Sequence, residues 1–100
     1  MPKPNSVKQI IGTWTEKQWE NEIVFSITEN NNVIIMTHLI NKFAINGNGI
    51  YSSSFDEHEQ IILKSDTDHY VVWNVENNFL QIDKLEGPIC FRFNLKRTGH

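Results

Sequence analysis

Eight short stretches in which apolar and polar residues alternate, each ended by a turn rich in Asn, Asp or Gly, run from residue 13 to residue 98 and leave no room for a long helix. A period of two sends every second side chain to the same face of a strand. Strands so evenly spaced pair with their sequence neighbours as an antiparallel meander, and eight of them can close a small barrel. The expected fold is all-β: an eight-stranded antiparallel up-and-down barrel, one domain over residues 1–100.

Strand signals fall at residues 13–17, 22–28, 33–40, 60–65, 69–76, 79–85 and 89–96, with a longer, interrupted one across 42–54. In that interrupted stretch Gly47-Asn48-Gly49 reads as a bend in one long strand rather than a hairpin turn. Residues 33–40 carry apolar side chains on both faces, which predicts a strand covered on both sides. Along residues 69–76, Val71, Trp73 and Val75 are set to point inward and Tyr70, Val72 and Asn74 outward, or the reverse if the register slips by one. Ahead of the first strand, Asn5 or Ser6 can cap a single helical turn over residues 7–11 that Gly12 ends, behind a loose tail at residues 1–4.

Composition narrows the function. The net charge of −3 and nine scattered Lys and Arg lack the basic footprint that nucleic acid or an anionic membrane surface requires. No apolar run nears the ~20 residues of a membrane span, and the first residues lack the apolar core of a signal peptide, so a cytoplasmic location is expected. The single cysteine, Cys90, cannot form an internal disulfide and reads as a bystander thiol. Asp66, Asp68 and His69 read as a solvated turn rather than a metal site, and Ser52, Ser53, Ser54, Asp56 and His58 lack the nucleophile elbow of a hydrolase. The chain is expected to be non-catalytic, with no metal and no cofactor.

A short helical turn, then Gly12-Thr13-Trp14 opening the first strand, then a meander with Arg97 at the end of the last strand: this layout resembles the lipocalin-like, or calycin, barrels. The resemblance implies that Trp14 plugs one end of the barrel and that Arg97 lies over its ring as a cation–π partner. It also implies a small apolar ligand at the opposite mouth, where His38, Ser53, Tyr70, Trp73, Asn74 and Phe91 are the candidate contacts. Eight rings, Phe25, Phe43, Tyr51, Phe79 and Phe93 together with Tyr70, Trp73 and Phe91, could instead fill the interior.

The alternative is a protein-binding module of the protease-inhibitor or immunity type, built on a filled barrel. It rests on Glu86, Gly87 and Pro88, a loop whose glycine permits close backbone approach and whose proline lowers the entropy lost on binding. Size, a barrel and a glycine in the loop before the last strand are similar to the staphostatins, small inhibitors of bacterial cysteine proteases. The expected partner is accordingly a small apolar molecule or a protein, with self-pairing as a dimer open.

Overall fold

Each strand of the meander bonds to the next, and the ring closes because the second strand bonds to both the first and the third. The computed structural model describes residues 3–99, so Met1 and Pro2 of the expected tail lie outside the described residues. A 3₁₀ turn, Val7–Ile10, leads into β1 (Gly12–Gln18), β2 (Asn21–Asn30), β3 (Val33–Ile40), β4 (Phe43–Ala44), β5 (Ile50–Phe55), β6 (Ile61–Lys64), β7 (His69–Val75), β8 (Phe79–Glu86) and β9 (Ile89–Gly99). Around the barrel the order is β2-β1-β9-β8-β7-β6-β5-β3, with β3 back on β2. All pairings are antiparallel.

β4 and β5 share one place in the ring. Both pair with β3, Ile40 with Phe43 near its end and Ile34 with Tyr51 further back, so the interrupted stretch is one bent strand. Asn46 holds the bend: its amide donates to the Met36 carbonyl at 2.9 Å and its oxygen accepts from the His38 N–H at 3.3 Å. The helical turn is capped by Ser6, whose hydroxyl accepts from the Lys8 N–H, while Gln9 Oε1 accepts from the Ser6 N–H.

Alternation decides what is buried. Ile23, Phe25 and Ile27 of β2, Ile34 and Met36 of β3, and Leu80 and Ile82 of β8 all point into one core, together with Ile61, Leu63, Tyr70 and Leu95. The expectation of a third strand covered on both faces is corrected: Val33 and Ile35 face solvent, because nothing packs outside a barrel wall. On β7 neither register holds throughout. Tyr70 and Val72 point inward, the pairing with β8 shifts between Val72 and Asn74, and beyond that bulge Val75 is inward again while Trp73 is left on the outer face. One extra residue reverses the parity of all that follow.

Among the glycines, Gly12 stands nearest to another stretch of backbone. Its φ is +140°, and a Cβ there would stand 2.5 Å from Arg97 Nη1 and 2.6 Å from the Gly99 carbonyl oxygen. The guanidinium can swing away, but the carbonyl belongs to the paired strand. Gly12→Ala should therefore lower stability by about 2–3 kcal/mol, read as a lower urea midpoint at unchanged slope. A midpoint equal to that of the unsubstituted protein would show that β1 and β9 have room to part.

Candidate functional site at the open mouth of the barrel

The two ends of the barrel are built differently. At one end the indole of Trp14 is fully buried and its Nε1 donates to the Ile10 carbonyl at 3.0 Å. The Arg97 guanidinium lies 4.1 Å above the centre of that ring. Its three nitrogens donate to the carbonyls of Asn77 (2.6 Å), Ile11 (2.7 Å) and Gln9 (3.0 Å), tying the helical turn and the β7–β8 turn to β9. This end is shut.

The other end is hollow. Alternating strand directions gather there the Trp19-Glu20 turn between β1 and β2, the Asn41-Lys42 turn between β3 and β4, residues 65–68 between β6 and β7, and the Gly87-Pro88 turn between β8 and β9. Between them lies a cavity of about 150 Å³ lined by His38, Ile40, Ile45, Lys84, Glu86, Phe91 and Phe93. The walls are apolar and the polar groups sit at the floor and one side.

His38 forms the floor. It is 1% exposed, stacks on Phe25 with ring centres 4.2 Å apart, and has Nδ1 2.9 Å from the Tyr70 hydroxyl. Its other nitrogen, Nε2, is buried without a hydrogen-bond partner. Burial, with the Lys84 charge nearby, holds the imidazole neutral by lowering its pKa to about 4. Burial also pushes the Tyr51 hydroxyl up to about 12 and Tyr70 further still.

Lys84 continues the inward face of Leu80 and Ile82, so its ammonium is drawn into the barrel wall. It is held there by Asp68 at 3.5 Å and by Glu86. Burial alone would raise the Asp68 carboxyl, but the Gly47 N–H, the Thr67 hydroxyl and Lys84 together outweigh it and leave the pKa below the ordinary carboxylate value. The cationic head is therefore already neutralised.

Large apolar side chains ring this opening in full view of solvent. Trp19 is 95% exposed, Phe43 75%, and Ile45, Ile89 and Phe91 are each about half exposed. Trp19 also has a φ of +60°, at the same place in its two-residue turn that Gly87 occupies, at φ +59°, in the neighbouring β8–β9 hairpin. Glycine suits that backbone and tryptophan does not.

No family model, curated protein or solved structure matches the chain.

Of the six ligand candidates, His38 and Phe91 line this mouth, and Tyr70 lies buried in contact with His38. Ser53, Trp73 and Asn74 lie elsewhere. Ser53 borders a separate, open groove of about 530 Å³ whose lining mixes Val33, Ile50 and Tyr51 with Ser52, Lys64 and Asp66. The bulge leaves Trp73 on the outer face, 5.5 Å from the Arg92 guanidinium, which in turn forms two hydrogen bonds to the buried Asp83 carboxylate. Asn74 donates to Gln81 on the neighbouring strand at 2.8 Å. Glu86, Gly87 and Pro88 lie on the rim, whereas Trp14 and Arg97 close the far end.

Sequence reasoning passed over Trp19 and Lys84. Lys84 could have been found by extending the Leu80, Ile82 alternation by one step. Trp19 carried no period, since it sits in the turn itself.

A neutral buried histidine makes the fold acid-sensitive. With the folded pKa near 4 and the unfolded one at 6.5, the unfolded chain binds the extra proton in that window, so stability is lost as pH falls from 6.5 toward 4. Lowering the pH from 7 to 5 should cost about 2 kcal/mol through this group. His69, lowered chiefly by burial, acts in the same direction. Comparing urea midpoints at both pH values with those of His38→Phe isolates the His38 share. An equal pH slope in that variant would assign the sensitivity elsewhere.

Proposed function

We propose that the protein is a non-catalytic binding module that docks a partner protein on the rim of its open mouth. The observation that carries this reading is Trp19: a large ring, almost wholly in solvent, held out by a backbone conformation that disfavours it. Exposed aromatics around a small pocket are the usual anchors of a protein interface. Loops on a rigid frame commonly carry such sites. The mixed charges near the rim, Lys17, Glu20, Lys42 and Glu86, favour neither nucleic acid nor an anionic lipid surface.

The cavity supports the same choice. Small-molecule sites run to about 300–1,000 Å³, and about 150 Å³ falls below that range, room for a single side chain. The inhibitor or immunity-type form of the proposal draws on Gly87-Pro88 at the tip of the β8–β9 hairpin. Kinship with the lipocalin-like barrels is proposed on the Gly12-Thr13-Trp14 entry and the Arg97 contact, and is compatible with the closed eight-strand ring. A cytoplasmic location is proposed on the free cysteine, Cys90; among the described residues no helix is long and apolar enough to cross a membrane.

The test compares three tagged proteins in cross-linking capture from native lysate: the unsubstituted chain, Trp19→Gly with Phe43→Ala, and Glu57→Ala on a loop at the closed end. The reading expects a stoichiometric protein that survives Glu57→Ala and is lost from the rim variant. Equal capture by all three overturns it, as does a sedimentation profile in which the only rim-dependent partner is a second copy. A bound lipid or metabolite in native mass spectrometry, with no rim-dependent protein, would return the site to a small ligand.

A further inference from the structure

We infer that Asn48 is a site of self-modification: its carboxamide is lost through a cyclic imide formed with the Gly49 nitrogen, leaving aspartate or isoaspartate in the bend between β4 and β5. The chain holds two Asn-Gly pairs, Asn46-Gly47 and Asn48-Gly49, and they are consecutive. Such pairs favour this reaction because glycine sets no Cβ against the five-membered ring that forms. By sequence the two are equivalent, and the structure separates them.

Asn46 is locked at both ends of the reaction. Its amide donates to the Met36 carbonyl at 2.9 Å and its oxygen accepts from the His38 N–H at 3.3 Å. The nitrogen that would attack it, that of Gly47, donates to Asp68 Oδ2 at 2.7 Å. To react, that nitrogen must give up its proton, and the anion so formed would stand against a carboxylate. Asn48 is exposed, and among the described residues nothing accepts from the Gly49 N–H. Its Oδ1 accepts from the Ile50 N–H at 3.2 Å, a bond that closes over Gly49 and keeps the carboxamide beside the peptide that attacks it. The same donor faces the oxygen on which negative charge develops during the attack.

The step balances with water as the only other reactant. The Gly49 nitrogen loses its proton to hydroxide and bonds to Asn48 Cγ; the Cγ–Nδ2 bond breaks, and ammonia leaves with a proton returned by water. A second water opens the imide at either carbonyl. Opening on the Cγ side gives aspartate, and opening on the backbone side gives isoaspartate, whose main chain runs through Cβ. Asn48 lines the open groove that Lys64 and Asp66 also border, so either product adds a negative charge there. Isoaspartate also lengthens the main chain just ahead of the Gly49 carbonyl, which accepts from the Met36 N–H at 2.7 Å where β5 joins β3.

The test follows both residues by peptide mass spectrometry in the full chain, aged folded in neutral buffer and, separately, unfolded in urea. Both lie between Lys42 and Lys64 on one tryptic peptide, whose fragment ions assign the change to one position. In urea the two should react at comparable rates. In the folded chain Asn48 should react at least about tenfold faster than Asn46, a difference of about 1.4 kcal/mol, which loss of the Gly47 bond to a charged acceptor supplies. Asp68→Ala, which frees the Gly47 N–H, should bring the Asn46 rate up toward that of Asn48. Equal rates in the folded unsubstituted chain, or a faster Asn46, overturn the selection. An Asn48 that reacts in urea and stays intact in the folded chain overturns the site.

Discussion

Trp14→Ala should cost the fold about 3–5 kcal/mol, the range for deleting a fully buried large aromatic side chain. Three effects combine. The indole leaves a void in a core whose neighbours are fixed in a hydrogen-bonded ring and cannot collapse into it. The Ile10 carbonyl loses its donor, so the helical turn is no longer tied down at that point. The Arg97 guanidinium loses the ring it lies against, while its bonds to the carbonyls of Asn77, Ile11 and Gln9 remain. Against a total stability of about 5–15 kcal/mol for domains in general, this is a large fraction. A double-mutant cycle with Arg97→Ala should return a coupling of about 1–2 kcal/mol, the scale of a partly desolvated cation–π contact. If Trp14→Ala unfolded within about 1 kcal/mol of the unsubstituted protein, the end would not be sealed by this ring.

The wall of the barrel was legible because the alternation of burial in β2 and β6 is unbroken, and a one-residue slip in either would turn its core-facing set to water. Asn tolerates left-handed backbone, and Asn31, Asn32 and Asn41 do have positive φ, which is why turn signals located the strand ends. What failed to read is what breaks the period. In β7 the extra residue near Trp73 makes each simple register half right, so Tyr70 and Val75 point inward together although they are five positions apart. Along β9 the alternation continues unchanged through Ile89, Phe91, Phe93 and Leu95, yet only Phe93 and Leu95 are buried, because the β8–β9 hairpin extends past the core at the mouth. Periodicity says which face a residue takes and not how far along the barrel the core extends. The cluster of His38, Tyr70, Asp68 and Lys84 could not be assembled from spacing at all, since it draws on β3, β7, β8 and the loop of residues 65–68.

Trp19→Gly is the substitution for which stability and function should move in opposite directions. In the folded chain Trp19 takes φ +60°, where a residue with a Cβ is disfavoured by about 1–2 kcal/mol and glycine is not. Glycine returns about 0.5–1 kcal/mol of that through the greater freedom of its unfolded state. The ring itself contributes little to folding, being 95% exposed. The net expectation is a protein as stable as the unsubstituted chain or more stable, by up to about 1 kcal/mol, read as an equal or higher urea midpoint. Binding should fall by at least about 2 kcal/mol, roughly 30-fold, because a tryptophan at the centre of an interface is the residue type that most often carries that much of it. Trp19→Ala separates the terms: it removes the ring but keeps the Cβ, so it should lose binding without the gain in stability. A loss of stability in Trp19→Gly would mean that the indole packs on the rim in the free protein. Unchanged partner affinity in a stabilised variant would remove the reason proposed here for a tryptophan at a position that glycine fits better.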